Sequence, residues 1–171
     1  MVLRRSMFAG AAGVFLSALI ALTADAQGTS VSLGVQDHDS SQPVEITSQE
    51  LAVDQENGTA TFTGDVIVGQ GGITMTCQRM IVEYAPDESG QNQIEVIRMS
   101  GDVTFVGDNE AAESDAAIYR LDAEIIVMTG NVLVTQGSTA LSSDKLTYNL
   151  QTGSGVMEGR VKTILQPGGN N

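Results

Sequence analysis

SQELAVDQENGTATFTG (residues 48–64), SDAAIYRLDAEIIVMTG (114–130) and SDKLTYNLQTGSGVMEG (143–159) are one phrase written three times. In each, a Ser stands 16 positions ahead of a Gly that opens a Gly-polar-Val step: Gly64-Asp65-Val66, Gly130-Asn131-Val132 and Gly159-Arg160-Val161. A fourth copy runs from Cys77 to Gly101-Asp102-Val103, stretched to 24 positions by a polar insert at residues 86–93. Gly101, Gly130 and Gly159 are spaced 29 apart. A fixed period in this range marks units that cannot bury an apolar face alone and stack on their neighbours. The function then belongs to the stack, and no single catalytic residue need carry it.

Within each unit the pattern has period two. Phe62, Gly64, Val66 and Val68 alternate with Thr61, Thr63 and Asp65, and Met99, Gly101, Val103 and Phe105 alternate with Ser100, Asp102 and Thr104. Met128, Gly130, Val132 and Val134 repeat the pattern, followed by Met157, Gly159, Val161 and Leu165. Alternation enriched in Val, Ile and Thr predicts half-buried strands. Turn residues recur between them at Asn57-Gly58, residues 69–72, 136–138 and 151–155. The recurrent Gly falls on the apolar face in mid-strand, where a missing side chain lets the strand bend. Every unit is expected to kink at one level and close the sheet into a roll. The fold class is all-β, built from stacked antiparallel repeats of about 29 residues.

Residues 1–26 read as a signal peptide: Arg4-Arg5, an apolar run over 7–22, then Ala24-Asp25-Ala26. Sixteen apolar residues are short for a transmembrane span. Residues 27–42 are polar and read as a flexible N-terminal arm. Asp37-His38-Asp39 lies in it, and three adjacent residues there are not expected to converge on a metal ion. The folded unit is expected over 43–166, with a tail at 167–171. The chain carries 8 Lys and Arg against 21 Asp and Glu, a net charge of −13. Losing Arg4, Arg5 and Asp25 with the leader makes this −14. So acidic a surface argues against nucleic acid and anionic membrane surfaces as partners. Cys77 is the only cysteine, so no internal disulfide is available.

A long roll has an inner face of aliphatic side chains and Met, and aromatic residues are only 4% of the chain, too few to plug it. An unclosed stack also ends in two bare edges. One is placed at Val44, Glu45, Ile46 and Thr47 after Pro43, the other at Val161, Thr163 and Leu165 before Pro167. Bare edges invite strand addition and head-to-tail assembly.

Val44-Glu45-Ile46-Thr47-Ser48, Phe62-Thr63-Gly64-Asp65-Val66, Val68-Gly69-Gln70-Gly71 and Thr129-Gly130-Asn131-Val132, preceded by Ile126, carry a family resemblance. So do Gln136-Gly137 and Asp144-Lys145-Leu146-Thr147-Tyr148-Asn149. Over residues 43–166 the chain resembles the OstA-like, LptA-type family of periplasmic lipopolysaccharide transport proteins. The resemblance implies an open-ended twisted β-jelly roll that is not an enzyme and needs no cofactor or metal. It implies a periplasmic location and edge-to-edge docking with an LptC-like inner-membrane partner and an LptD-like outer-membrane partner. Lipopolysaccharide would slide along the inner lane with its lipid A acyl chains inside. By family position Val44, Ile46, Phe105 and Tyr119 would line that lane. Alternation adds Phe62, Val66, Met75, Val103, Met128, Val132, Leu141 and Met157. On this reading Phe105→Asp is expected to impair lipid binding while sparing the fold.

Two other classes remain open. A hydrolase with paired carboxylates is disfavoured because Asp and Glu fall mostly on outward positions or in turns. No G-x-S-x-G elbow supports a nucleophile. A structural or adhesin-like repeat protein with a packed interior is the alternative.

Overall fold

The computed structural model describes residues 29–31, 42–87, 89–107 and 110–165. The expected signal peptide, most of the arm with His38, and the tail at 167–171 lie outside the described residues. All regular structure within them is β-strand. The strands are β1 Thr29–Val31, β2 Glu45–Thr47, β3 Glu50–Asp54, β4 Thr59–Gln70, β5 Ile73–Pro86, β6 Asn92–Val106, β7 Glu110–Arg120, β8 Ile125–Gln136, β9 Thr139–Asn149, β10 Ser154–Glu158 and β11 Lys162–Leu165. From β4 to β9 they form an antiparallel meander. Short turns such as Gly71-Gly72 and Gly137-Ser138 set its hairpins.

Each long strand serves two layers because it breaks in the middle. Pairing skips between Thr63 and Val66, Ser100 and Val103, and Thr129 and Val132, where two residues oppose one on the neighbouring strand. Residues beyond the break in β4, β6 and β8, with β2 and β11, form a first layer. Residues before it, with β3, β10 and β1, form a second. The result is a roll with a spine of corners on one side and two lips of hairpin turns on the other.

The repeated phrase is the chemistry of these corners. Gly64, Gly101, Gly130 and Gly159 have φ between 75° and 82°, and the residue after each is also left-handed. Consecutive left-handed residues turn the chain sharply, which only Gly does at little steric cost. The phrase's Ser bonds two residues ahead along its own stretch of chain: Ser48, Ser114 and Ser143 Oγ donate to the carbonyls of Glu50, Ala116 and Lys145. In the fourth copy Cys77 takes the Ser position, and burial raises the pKa of its thiol, keeping it protonated.

The next residue lies over the glycine. A Cβ at Gly64 would come within 2.6 Å of Gln49 Oε1, and one at Gly101 within 2.9 Å of Gln78 Cβ. Gln49 Nε2 donates to Asp65 Oδ2 at 2.7 Å and Asn131 Nδ2 to Asp115 Oδ2 at 2.9 Å. Gln49, Gln78, Asp115 and Asp144 are all exposed. The missing side chain therefore makes room for a polar clamp on the outside of the corner, not for the core as alternation alone suggested. The extra residue and the positive φ turn the glycine away from the apolar face.

At the last corner the clamp is an ion pair, Arg160 Nη2 to Asp144 Oδ1 at 2.7 Å. The Arg160 hydrogen bond holds the Asp144 carboxyl below its usual 3.8. A depressed carboxylate contributes stability above its unfolded value and loses it as pH falls through the folded one. Arg160→Ala is thus expected to lower the melting temperature slightly at pH 7, with the gap to wild type closing below about pH 4. Thermal melts across pH 2–7 check this, and a gap that persists in acid overturns the assignment.

One expectation needs correction. Part of the segment read as a flexible arm is β1, whose Thr29, Ser30 and Val31 pair with Met157, Val156 and Gly155. Three residues are too few to show a period, and only β10 gives them a partner. The polar insert lengthens the strands around it, since β5 runs to Pro86 and β6 starts at Asn92.

Candidate functional site

The inner faces of both layers are crossed by rows of side chains that run the whole length of the roll. In the first layer, cross-strand partners link Ile46, Val68, Met75, Phe105, Ala112, Val134, Leu141 and Thr163 in one unbroken row. In the second, Leu51, Phe62, Met80, Met99, Ala117, Met128, Leu146 and Met157 form another. Beside it run Val53, Ala60, Val82, Ile97, Tyr119, Ile126, Tyr148 and Gly155. Directly opposed side chains in a sheet touch, so each row is a continuous apolar strip.

The residues named from alternation and family position are gathered on these faces. Val66, Met75, Val103, Phe105, Tyr119, Met128, Val132, Leu141 and Met157 are buried in one core. Val44, Ile46 and Phe62 are half-buried and pack against it. Phe105 is 2% exposed, with its ring centroid 6.4 Å from that of Tyr148. The expectation that Phe105→Asp spares the fold therefore fails: the position is core, where an unpaired carboxylate is costly.

Two contacts fix how the layers face each other. Phe105 on β6 meets Tyr148 on β9, and Tyr119 Oη on β7 donates to Gln70 Oε1 on β4 at 3.4 Å. Each joins strands three apart in chain order, so the layers cross with an offset. Burial, with a smaller contribution from the Glu124 charge, pushes the Tyr119 hydroxyl up to about 12, so it stays a donor. At the lip beside β2, Val44 and Gln70 face Ile94 and Leu121 across a cleft of about 500 Å³.

The offset leaves β3, the first strand of the second layer, without a cover. Leu51 and Val53 share the face of Phe62 and Ala60, their partners, yet they are 54% and 64% exposed. This end of the roll thus has two edge strands, β2 and β3, each pairing among the described residues only with β4. Val44, Glu45, Ile46 and Thr47 mark one of them; Leu51 and Val53 on the other were missed. Their signal was the alternation in Glu50-Leu51-Ala52-Val53-Asp54, inside the opening phrase itself. At the far end β11 pairs, among the described residues, only with β9 and carries Thr163 and Leu165, while Val161 stands just before the strand. There β1 covers β10, the other strand of that end.

Known proteins resemble this chain in sequence or fold. Lipopolysaccharide export system protein LptA from Escherichia coli K12 is 35% identical over 57 residues, 33% of this chain and 31% of that protein. The Shigella flexneri protein of the same name matches equally. The chain thus spans about a third of the length of the curated relatives it matches. Among solved structures, LptH from Pseudomonas aeruginosa, described as the LptA homologous periplasmic component of the lipopolysaccharide transport device, superposes with a TM-score of 0.66. It is 19% identical and covers 77% of this chain and 100% of its own, so the likeness is one of fold. Residues 45–154 match the family described as LptA/(LptD N-terminal domain) LPS transport protein, so the chain belongs to that family.

Proposed function

We propose that this chain is a periplasmic bridge protein that carries lipopolysaccharide from the inner to the outer membrane. Its lipid A acyl chains would lie between the two layers, against the lane residues named above. The observation that carries this reading is the set of apolar rows, which run unbroken from one edge of the roll to the other. Each buried methylene is worth about 0.8 kcal/mol, so a few carbons hold a lipid. The rows repeat with little change from strand to strand, which keeps that energy nearly level along the lane and lets cargo move. Five of the seven methionines of the chain lie on the inner faces, at 75, 80, 99, 128 and 157. Their flexible thioethers repack around a guest more readily than branched chains do.

The uncovered Leu51 and Val53 support docking at the β2–β3 end. A second roll adding strands there, either another copy or an LptC-like partner, would cover them and extend both layers. An LptD-like partner would meet the β11 end. The acidic exterior, with few basic side chains to meet phosphates, favours a head group left in solvent.

A second reading, a structural roll, draws support from the interior, which its own side chains fill. A photo-crosslinking amino acid placed in turn at Phe105, Val53 and Thr104 in cells separates the two. The transport reading expects a lipid adduct at 105, a protein adduct at 53 and neither at the outward Thr104. Folded, exported protein that captures no lipid at 105 would leave the structural roll as the function.

A further inference from the structure

The inner face of the first layer changes character one step from the lip. Along β4 it runs Val66, Val68, Gln70, and along β8 Val132, Val134, Gln136. Along β7, read from the lip, it runs Glu110, Ala112, Ser114. Val68, Ala112 and Val134 belong to the long apolar row and are fully buried. One alternation step further out, the same three strands present a carboxamide, a carboxylate and a carboxamide. The lip of the facing layer keeps Leu121 and Leu150 near the corresponding edge. The boundary between apolar lane and solvent is thus written into one layer as a line of polar groups.

Glu110 differs from the others on that line. It is 8% exposed, and its Oε1 accepts from Gln136 Nε2 at 2.6 Å. Its Oε2 is buried with no hydrogen-bond partner among the described residues. A buried acceptor without a donor costs the fold the desolvation of that group, and native proteins rarely carry one. Such an atom is suited to a donor that arrives from outside the chain. Its position limits what that donor belongs to. The group must reach the inner face of the lip, next to Ala112 and the Phe105 row, so it must be attached to an apolar body. Phosphate and other anions are repelled by the carboxylate.

We infer that Glu110 is a docking acceptor for an amphiphile in the lane, taking an amide N–H or a hydroxyl hydrogen at the junction of polar head and acyl chain. The inference rests on the lane reading of the preceding section and adds a polar register to it. The apolar rows hold the chains and leave them free to slide; Glu110 sets the depth at which the head stops. An ester junction, with no hydrogen to give, leaves Oε2 unmatched.

The test uses two probes of equal length, N-methyldodecanamide and methyl dodecanoate, which differ chiefly in one N–H. Their affinities are measured by displacement of an uncharged fluorescent apolar probe, N-phenyl-1-naphthylamine, from the full-length mature protein. One hydrogen bond that only the amide can make gives an expected preference for the amide of about tenfold. Glu110→Leu is expected to abolish the preference, so that amide and ester bind alike, since solvent can satisfy the exposed Gln136. Glu110→Gln retains an acceptor oxygen and is expected to keep part of the preference, which guards against a misfolded leucine variant. Equal binding of amide and ester by the wild type overturns the role of Glu110 and leaves the lane intact. Equal weakening of both probes in Glu110→Leu makes the residue a packing element and also overturns it. Displacement by neither probe removes the lane reading itself, and the acceptor with it.

Discussion

Phe105→Asp is expected to prevent folding. The ring is 2% exposed, lies in the middle of the long first-layer row and leans on Tyr148 across the interior. Removing a buried Phe side chain costs about 3–5 kcal/mol by cavity formation alone. A carboxylate left there, with Met75 and Ala112 as its cross-strand neighbours, adds several kcal/mol more unless it is protonated. Domains of this size hold about 5–15 kcal/mol in total, so the sum meets or exceeds what is available. The variant should appear as insoluble or unfolded protein by circular dichroism, whereas Phe105→Leu should remain folded with a lower melting temperature. A cooperative melt of Phe105→Asp close to wild type would mean that the side chain is not in the core at all. One practical consequence concerns cargo: lost lipid binding in Phe105→Asp would report unfolding, so an adduct at that position is the informative observation.

Gly130→Ala is expected to have the next largest effect, at a site far from the lane. Gly130 sits at φ +78°, where a non-glycine residue is disfavoured by roughly 1–2 kcal/mol. The added Cβ would also land on Asp115 Oδ2. That carboxylate cannot simply swing aside, because it accepts from Asn131 at 2.9 Å. Together these effects amount to about 2–4 kcal/mol, a fall of about 5–15 °C in melting temperature for a chain of this length. Combining the change with Asp115→Ala should recover the part due to the carboxylate and leave the parts due to the Asp115 Cβ, 2.9 Å from the added one, and to the backbone. If the single variant melts within a degree or two of wild type, the corners are not the constrained hinges described here. If the double variant is no better than the single one, the clamp has no energetic role.

Much of this molecule is readable along the chain because its rules are local. Period-two alternation fixes which side chains face inward, and every lane residue named from it does so, from Val66 and Met75 to Leu141 and Met157. The Gly-polar-Val step fixes where strands bend, because left-handed backbone is a property of two adjacent residues. What the period could not supply was the reason for the residue after the Ser, whose partner lies 16 positions away across a corner. It also could not reveal the edge at Leu51 and Val53. Alternation marked those two as inward, but whether an inward residue is covered depends on the other layer.

The sequence by itself determined the class of fold, the level of the kinks and the polarity of each face, all consequences of backbone geometry over a few residues. Only the tertiary structure decided that the layers cross with an offset of three strands. That offset uncovers Leu51 and Val53, sets Tyr119 against Gln70 and leaves Glu110 buried at the lip with an oxygen unmatched. The reason is physical: sheet twist accumulates strand by strand, and the facing of two layers is set by the sum of many small rotations that no local pattern encodes.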